Sequence, residues 1–326
     1  MAVLIESLEV SNRLLLLSAL VTIGYQAFFF FIAAFFRFDK VTDLAGGTNF
    51  VVVAILVFLL GPVSEIPIDV TPRQWYVTVA VLLWGIRLSG FLFYRILVTE
   101  EDKRFDGIRE DLFKFGLFWC FQACWVWVVS LTVIFINAQD SRASLTAADY
   151  FFWTAAAVGL IIEAVADNQK FAWRQRNLRA NVKEPFIRHG LWALSRHPNY
   201  FGELLFWWSI FGTVSQSFLS PIGYYTLASP LFVSYLLLGA SGMPILEFNA
   251  NVRLGSNSDY LSYIRDTSPL IPMPPCLYRK CIPMVKAILL FEWPIFRRGL
   301  DDSAVLLSVD KSTAISSAVR DPIPAF

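Results

Sequence analysis

The residues of this chain best suited to chemistry lie in a short polar motif, SRHPNYFGE, at residues 195–203. Arg196 and His197 can donate hydrogen bonds to anionic or polar groups, and Pro198 disfavours the α region for the residue before it. Asn199 is predicted to be the N-cap of the apolar segment that follows. The motif therefore indicates a polar cluster at the mouth of a membrane helix. The competing interpretation is a simple helix cap with interfacial anchors, which needs no ligand.

Composition sets the class of protein. The chain has 326 residues, of which 56% are hydrophobic and 16% charged, with a net charge of +1. Soluble domains are roughly 45–50% apolar, so this composition favours a membrane protein. The small net charge and the absence of an aromatic-plus-basic motif argue against nucleic acid as a partner. The four cysteines form no CxxC pair, and no metal-ligand spacing surrounds His197, so no metal site is predicted.

Long apolar runs predict an all-α, polytopic membrane protein with about seven transmembrane helices. The predicted spans cover residues 14–36, 49–63, 75–98, 115–137, 150–171, 201–219 and 222–247. The first run is too long for the apolar region of a signal peptide, which is about 7–15 residues. Most Lys and Arg residues fall in alternate loops and after the last span. The positive-inside rule then places the C-terminus in the cytosol and the N-terminus outside or in a lumen.

Three regions of the chain are predicted. Residues 1–275 form the membrane domain, and no linker divides them. Residues 276–300 are apolar but interrupted by charges and prolines, so they are predicted to be an interfacial segment. Residues 301–326 are rich in Ser, Ala and Asp, which predicts a disordered tail.

Polar residues gather on the predicted cytosolic side. Glu163, Asp167 and Lys170 share one face at the end of the fifth span, and they join the polar motif and the strip that follows Glu247. Several Arg and Lys residues with acids, amides and tyrosines match a phosphate-bearing cofactor such as a dinucleotide. No GxGxxG or P-loop motif is present, so the ends of the membrane helices would have to hold that cofactor.

Five stretches carry a family resemblance. Residues 190–203 (GLWALSRHPNYFGE), 84–88 (WGIRL), 101–105 (EDKRF), 163–171 and 263–272 resemble the steroid 5-alpha-reductase family in its DUF1295 branch. The resemblance covers about residues 14–275. The Arg-His-Pro-x-Tyr-x-Gly core is also similar to that of isoprenylcysteine carboxyl methyltransferases.

The resemblance implies a seven-helix membrane reductase that binds NADPH and reduces a carbon–carbon double bond conjugated to a carbonyl, in a steroid-like or enoyl lipid. The implied cofactor-binding residues are Asp167, Gln169, Lys170, Arg174, Arg196, His197, Asn199, Tyr200, Glu203, Glu247 and Tyr263. Asn199 and Glu203 would hold the nicotinamide carboxamide, and Tyr263 would close over the adenosine. No acid in the sequence is an evident partner that would make His197 a general base, so it is assigned to the cofactor cradle.

The chain departs from the steroid-specific enzymes at the substrate end. Those enzymes grip the substrate carbonyl with an acid on span two, whereas this span two holds no ionisable residue between Val51 and Leu60. This departure argues against a 3-keto steroid and leaves an apolar lipid, which enters between the helices, as the expected substrate. The available substitutes as catalytic groups are Arg87, Tyr94 and Asp102, with Trp84 and Gln122 lining the substrate.

Two other functions remain open. One is an S-adenosylmethionine-dependent lipid methyltransferase, and the other is a lipid-binding membrane protein that has lost its chemistry. The basic loop before the polar motif favours the phosphates of NADPH. The family implies residence in the endoplasmic reticulum, or in the inner membrane of a bacterium.

Overall fold

The computed structural model describes residues 2–36, 41–61, 70–99, 111–139, 143–180, 184–218 and 220–300, and every structural statement below concerns these residues. Within them the chain is helical and forms no β-strand; a single parallel bridge joins Ser195 to Ser268. The all-α prediction is confirmed.

The described residues form twelve α-helices. They are α1 (Ala2–Phe36), α2 (Val41–Leu59), α3 (Pro72–Thr99), α4 (Leu112–Val129), α5 (Leu131–Ala138), α6 (Ala147–Arg179), α7 (Pro198–Ser215), α8 (Ala228–Tyr235), α9 (Met243–Leu254), α10 (Ser258–Asp266), α11 (Pro275–Tyr278) and α12 (Pro283–Ile288). Short 3₁₀ turns cover Gly190–Ala193, Pro221–Leu227 and Pro294–Arg297, and a π-helical turn covers Leu236–Ala240.

Six of the described helical stretches are long and apolar enough to cross a membrane. They are Ser11–Phe36, Val41–Leu59, Pro72–Val98, Leu112–Val129, Ala147–Arg179 and Pro221–Leu254. The sixth span predicted from sequence corresponds to α7, a helix of 18 residues that is not among the six. Its first turn carries the polar motif, which makes it less apolar than the others. The orientation of the chain ends stays a prediction.

The chain divides into two compact units. Unit 1 comprises Met1–Ala157 and Leu205–Val233, and unit 2 comprises Val158–Leu204 and Ser234–Phe326. The boundaries predicted at 275 and 300 stay predictions, and the predicted tail, residues 301–326, lies outside the described residues.

Unit 1 has an aromatic core. The ring of Phe50 on α2 makes edge contacts with Trp84 on α3 and Trp125 on α4, with ring centroids 5.0 Å apart in both pairs. Trp207 of α7 packs edge-on against Trp84 at 4.9 Å. Gly47 allows the close approach of α2 to α3, because a Cβ there would collide with Ser89. Edge-on packing of these rings supplies van der Waals contacts between the helices of unit 1.

A buried ion pair joins the beginnings of α3 and α6 in unit 1. Arg73 Nε and Nη2 donate to the two carboxylate oxygens of Asp149 at 2.7 and 2.8 Å. The remaining donors of Arg73 reach the carbonyls of Ala143 and Ser144. Full pairing of both charged groups offsets the cost of taking them out of water.

Unit 2 is built on a close crossing of α6 and α7. A Cβ on Gly202 would lie 2.6 Å from both the Gly159 carbonyl oxygen and the Glu163 nitrogen, so only glycine fits at this crossing. The segment before α7 is tied to the segment after α10, since Arg196 N donates to Ser268 O at 2.8 Å and Met273 N donates to Leu194 O at 3.0 Å. The polar motif is therefore held between three parts of the chain.

Candidate functional site

The polar motif sits at the first turn of α7, and its cap differs from the prediction. The helix begins at Pro198, so the proline occupies its first position and Asn199 lies inside the helix. Proline is favoured there because the first residues of a helix have no partner for their backbone N–H groups. Asn199 is thus not the N-cap, and its amide is left available for other contacts. The side chain is buried.

Glu247 of α9 binds two residues of the motif at once. Arg196 Nη1 donates to Glu247 Oε2 at 2.9 Å, and His197 Nε2 lies 2.7 Å from Glu247 Oε1. All three side chains are almost completely buried. His197 therefore has the carboxylate partner that was not evident from sequence, where Glu247 stood 50 residues away.

Burial and charge decide the protonation of this cluster. Burial lowers the pKa of His197 and outweighs the opposing effect of Glu247, which favours a neutral imidazole at pH 7. Burial also opposes the charged form of Arg196, but Glu247 and Glu292 outweigh it and raise the pKa of the guanidinium. Because Glu247 accepts hydrogen bonds, the neutral His197 carries its proton on Nε2 and presents Nδ1 as an acceptor.

Four buried polar atoms of the motif have no hydrogen-bond partner in the described part of the protein. They are Arg196 Nε and Nη2, His197 Nδ1 and Asn199 Oδ1. Leaving one such atom without a partner costs about 1–3 kcal/mol, and most buried polar atoms in proteins are paired. Two donors and two acceptors within four consecutive residues are the arrangement of a binding site for a polar ligand.

Aromatic side chains surround the cluster. The ring of Tyr200 stacks on His197, with centroids 5.5 Å apart. Tyr260 OH donates to Asn251 Oδ1 at 2.8 Å, and Tyr263 OH donates to the Trp192 carbonyl at 2.7 Å. Burial raises the pKa of both tyrosines, so their hydroxyls stay protonated at neutral pH. Tyr263 is thus used to hold the chain before α7.

The end of α6 supports the turn that leads into the motif. Gln169 Oε1 accepts from Leu191 N at 2.9 Å, and Lys170 Nζ lies 4.7 Å from the centre of the Trp192 ring. Trp192 in turn donates from Nε1 to the Ala166 carbonyl. Gly190 has a φ of +62°, which suits glycine where the chain turns against Gln169. Gln169 and Lys170 therefore position the motif.

Three further predicted cofactor residues lie in the same unit. Asp167 and Arg174 are half-buried on α6, and Glu203 is half-buried one turn into α7. Each makes a polar or electrostatic contact with the protein. All eleven predicted cofactor-binding residues thus belong to unit 2.

The C-terminal strap, residues 275–300, adds residues that the sequence analysis did not assign to the site. Glu292 Oε1 lies 3.5 Å from Arg196 Nη2 and 3.6 Å from Arg297 Nη2, and the Tyr278 hydroxyl hydrogen-bonds Glu292 Oε2. Asn251 Nδ2 donates to the carbonyls of Phe296 and Arg298, which ties the strap to α9. The sequence feature that could have identified Glu292 was its position as the acid in the mostly apolar run 282–296.

The predicted substrate-end residues belong to unit 1, apart from Asp102, which lies outside the described residues. Trp84 is fully buried and its Nε1 has no hydrogen-bond partner there. Gln122 is buried and donates from Nε2 to the Thr42 carbonyl at 3.0 Å. Arg87 is half-buried and Tyr94 is exposed on α3. In the described ranges, no group of three or more His, Cys, Asp and Glu side chains could hold a metal ion.

Comparison with known proteins identifies one family. Residues 29–267 match the family model described as "Protein of unknown function (DUF1295)". The match includes the polar motif, Glu247 and Tyr263, and it ends before the C-terminal strap. No curated protein and no solved structure gives a significant match. Because the match spans most of the chain, this protein belongs to the DUF1295 family, the branch that the sequence motifs indicated.

Proposed function

We propose that this membrane protein is an NADPH-dependent reductase that transfers a hydride to a carbon–carbon double bond conjugated to a carbonyl in an apolar lipid. The observation that carries the proposal is the set of four unpartnered, buried polar atoms on Arg196, His197 and Asn199. The resemblance to steroid 5-alpha-reductases supplies the reaction type.

The donors and acceptors of the motif fit a nicotinamide nucleotide. Asn199 Oδ1 would accept a hydrogen bond from the carboxamide N–H. The neutral His197 would accept a hydrogen bond from a ribose hydroxyl at Nδ1. The Nε and Nη2 edge of Arg196 has the fork geometry that binds two phosphate oxygens. Additional positive charge comes from Lys170 and Arg174 on α6.

The residues of the site do three things for the reaction. Bound NADPH supplies the hydride that reaches the β-carbon of the substrate. Asn199 would fix the orientation of the nicotinamide ring, and Glu247 keeps His197 in one tautomer. A rigid, buried arrangement of this kind holds reacting groups in place without further reorganisation. The group that polarises the substrate carbonyl is expected among Arg87, Tyr94 and Asp102.

Equilibrium binding to the full-length protein in lipid nanodiscs tests the cofactor. We expect NADPH to bind and S-adenosylmethionine not to bind. Binding of S-adenosylmethionine but not NADPH would contradict the reductase proposal and support a methyltransferase instead.

Turnover tests the reaction. With NADPH bound, oxidation of the cofactor should depend on an apolar conjugated enone, measured by absorbance at the nicotinamide band and by mass analysis of the lipid. NADPH binding without turnover over a broad panel of lipid enones would instead support a non-catalytic lipid-binding protein.

A further inference from the structure

Within the described residues, the guanidinium of Arg196 forms a hydrogen bond through one nitrogen, Nη1, and forms none through the other two. Its Nη1 donates to Glu247 at 2.9 Å. Nε and Nη2 form the edge that usually binds a carboxylate or phosphate through two parallel hydrogen bonds, and neither atom has a hydrogen-bond partner here. Glu292 faces this edge from 3.5 Å, an ion-pair distance that does not make a hydrogen bond.

Glu292 belongs to the C-terminal strap, which lies within unit 2 and makes several contacts with α9. Two of them are the hydrogen bonds from Asn251 to the carbonyls of Phe296 and Arg298, and a third is the packing of Gly299, at φ +86°, against Phe248 and Val252. The outer side of the strap is exposed at Leu277, Ile282, Met284, Ile288 and Leu289. Tyr278, Leu290 and Phe296 are the buried apolar side chains of the strap, so its displacement has to uncover these three, whereas its exposed residues lose little packing.

We propose that Glu292 holds the place of a ligand phosphate on Arg196, and that binding of the nucleotide displaces Glu292 together with the strap. This inference rests on the proposed function, because it assigns the occupant of the same site. The strap lies beyond the residues that match the family model.

Charge balance favours replacement of Glu292 by the phosphate over binding of the phosphate beside Glu292. Arg196 is neutralised by Glu247, and Glu292 is itself shared with Arg297 at 3.6 Å. A phosphate added beside Glu292 would place two anions on one edge of the guanidinium, which is strongly unfavourable in a buried site. Removal of Glu292 to solvent lets the phosphate take both hydrogen bonds and leaves the buried charge unchanged.

The test compares the full-length wild type with Glu292→Gln, and with Glu184→Gln as a matched control. Glu184 is an exposed carboxylate of unit 2 that accepts from Trp173 at 3.1 Å. Because the closed strap competes with the nucleotide, we expect Glu292→Gln to bind NADPH about tenfold more tightly, with no change in the control. In hydrogen exchange, residues 275–300 of the wild type should become less protected when NADPH binds. In Glu292→Gln without NADPH, residues 275–300 should already be as weakly protected as they are in the NADPH-bound wild type.

Weaker NADPH binding by Glu292→Gln, or unchanged protection of residues 275–300 on binding, would overturn the exchange. Tyr278→Phe provides a second variant, because it removes the hydroxyl that holds Glu292 and should shift binding in the same direction by a smaller factor. If the wild type binds no NADPH, the proposed function fails. Inorganic pyrophosphate at constant ionic strength then still tests whether a phosphate displaces the strap. A saturable loss of strap protection with pyrophosphate supports the exchange, and no response refutes it.

Discussion

At the scale of single residues, the site is organised by Glu247. Its two carboxylate oxygens accept from different residues of the polar motif, Arg196 and His197, and it thereby fixes the direction of both. The consequence is that the unused atoms of these side chains, the Nε and Nη2 edge and Nδ1, are held in fixed positions. A preorganised set of donors and acceptors binds a ligand with less loss of conformational entropy.

Removal of Glu247 should destabilise the folded protein. Among the described residues, Glu247→Ala leaves Arg196 with Glu292, at 3.5 Å, as its counter-charge. Breaking a buried ion pair from one side costs about 3–5 kcal/mol. Thermal unfolding in detergent should show a large drop in Tm. Glu184→Ala, at an exposed carboxylate of the same unit, should change Tm little, and equal losses in the two variants would contradict the role given to Glu247.

The stability of the protein should fall in mild acid because of His197. Burial lowers the pKa of this imidazole below its ordinary value of 6.5, so the unfolded state takes up the proton more readily as the pH decreases. The stabilising contribution is present above about pH 6.5 and is lost as the pH falls through the lowered folded-state pKa. Tm measured from pH 7.5 to 5 should decrease less steeply in His197→Asn than in the wild type. An equal decrease of Tm with pH in the variant and the wild type would show that another group causes the loss of stability in acid.

At the scale of elements, the crossing of α6 and α7 places the motif against its support. Gly202 is one turn beyond Pro198, and its contact with the backbone at Gly159 and Glu163 sets how closely the two helices approach in unit 2. The same crossing brings Gln169 and Lys170 to the turn at residues 190–193. The positions of Gln169 and Lys170 relative to the motif therefore depend on the close approach of the helices at Gly202.

Gly202→Ala should separate these helices. The added methyl group would meet backbone atoms, which cannot rotate away as a flexible side chain can, and overpacking of this kind costs about 1–3 kcal/mol. NADPH binding and Tm should both decrease. Gly24→Ala is the control, since a Cβ at Gly24 on α1 meets no atom within 4 Å. Normal binding and stability in Gly202→Ala would show that the crossing tolerates a wider spacing.

The elements were largely predictable and the contacts within the site were not. The apolar runs of α1, α3 and α6 are long enough to identify helices directly, and the motif at residues 195–203 marked the site by its density of polar groups. The start of α7 was misplaced by the competing helix-start signals of Pro198 and Asn199. The pairing of His197 with Glu247, and the approach of Glu292 to Arg196, join residues far apart in the chain, which no local pattern specifies.

At the scale of the whole molecule, the candidate site draws on residues inside and beyond the segment that matches the family model. Residues 29–267 match the family model and include all the predicted cofactor-binding residues, whereas Glu292 and the contacts of residues 275–300 come after it. Six of the described helical stretches are long and apolar enough to cross a membrane, which indicates an integral membrane protein.

The dissociation constant of NADPH for Asn199→Ala, relative to the wild type, tests the cofactor site most directly. Asn199 Oδ1 is buried without a partner, and one hydrogen bond from a ligand is worth about 1–2 kcal/mol, so the variant should bind about tenfold more weakly. Asn177→Ala is the matched control, because in the described part of the protein the Asn177 side chain on α6 hydrogen-bonds the backbone of Glu184, outside the polar motif. Weakened binding in Asn199→Ala alone is the predicted result. Equal affinity of Asn199→Ala and wild type, or no NADPH binding by either, would contradict the account.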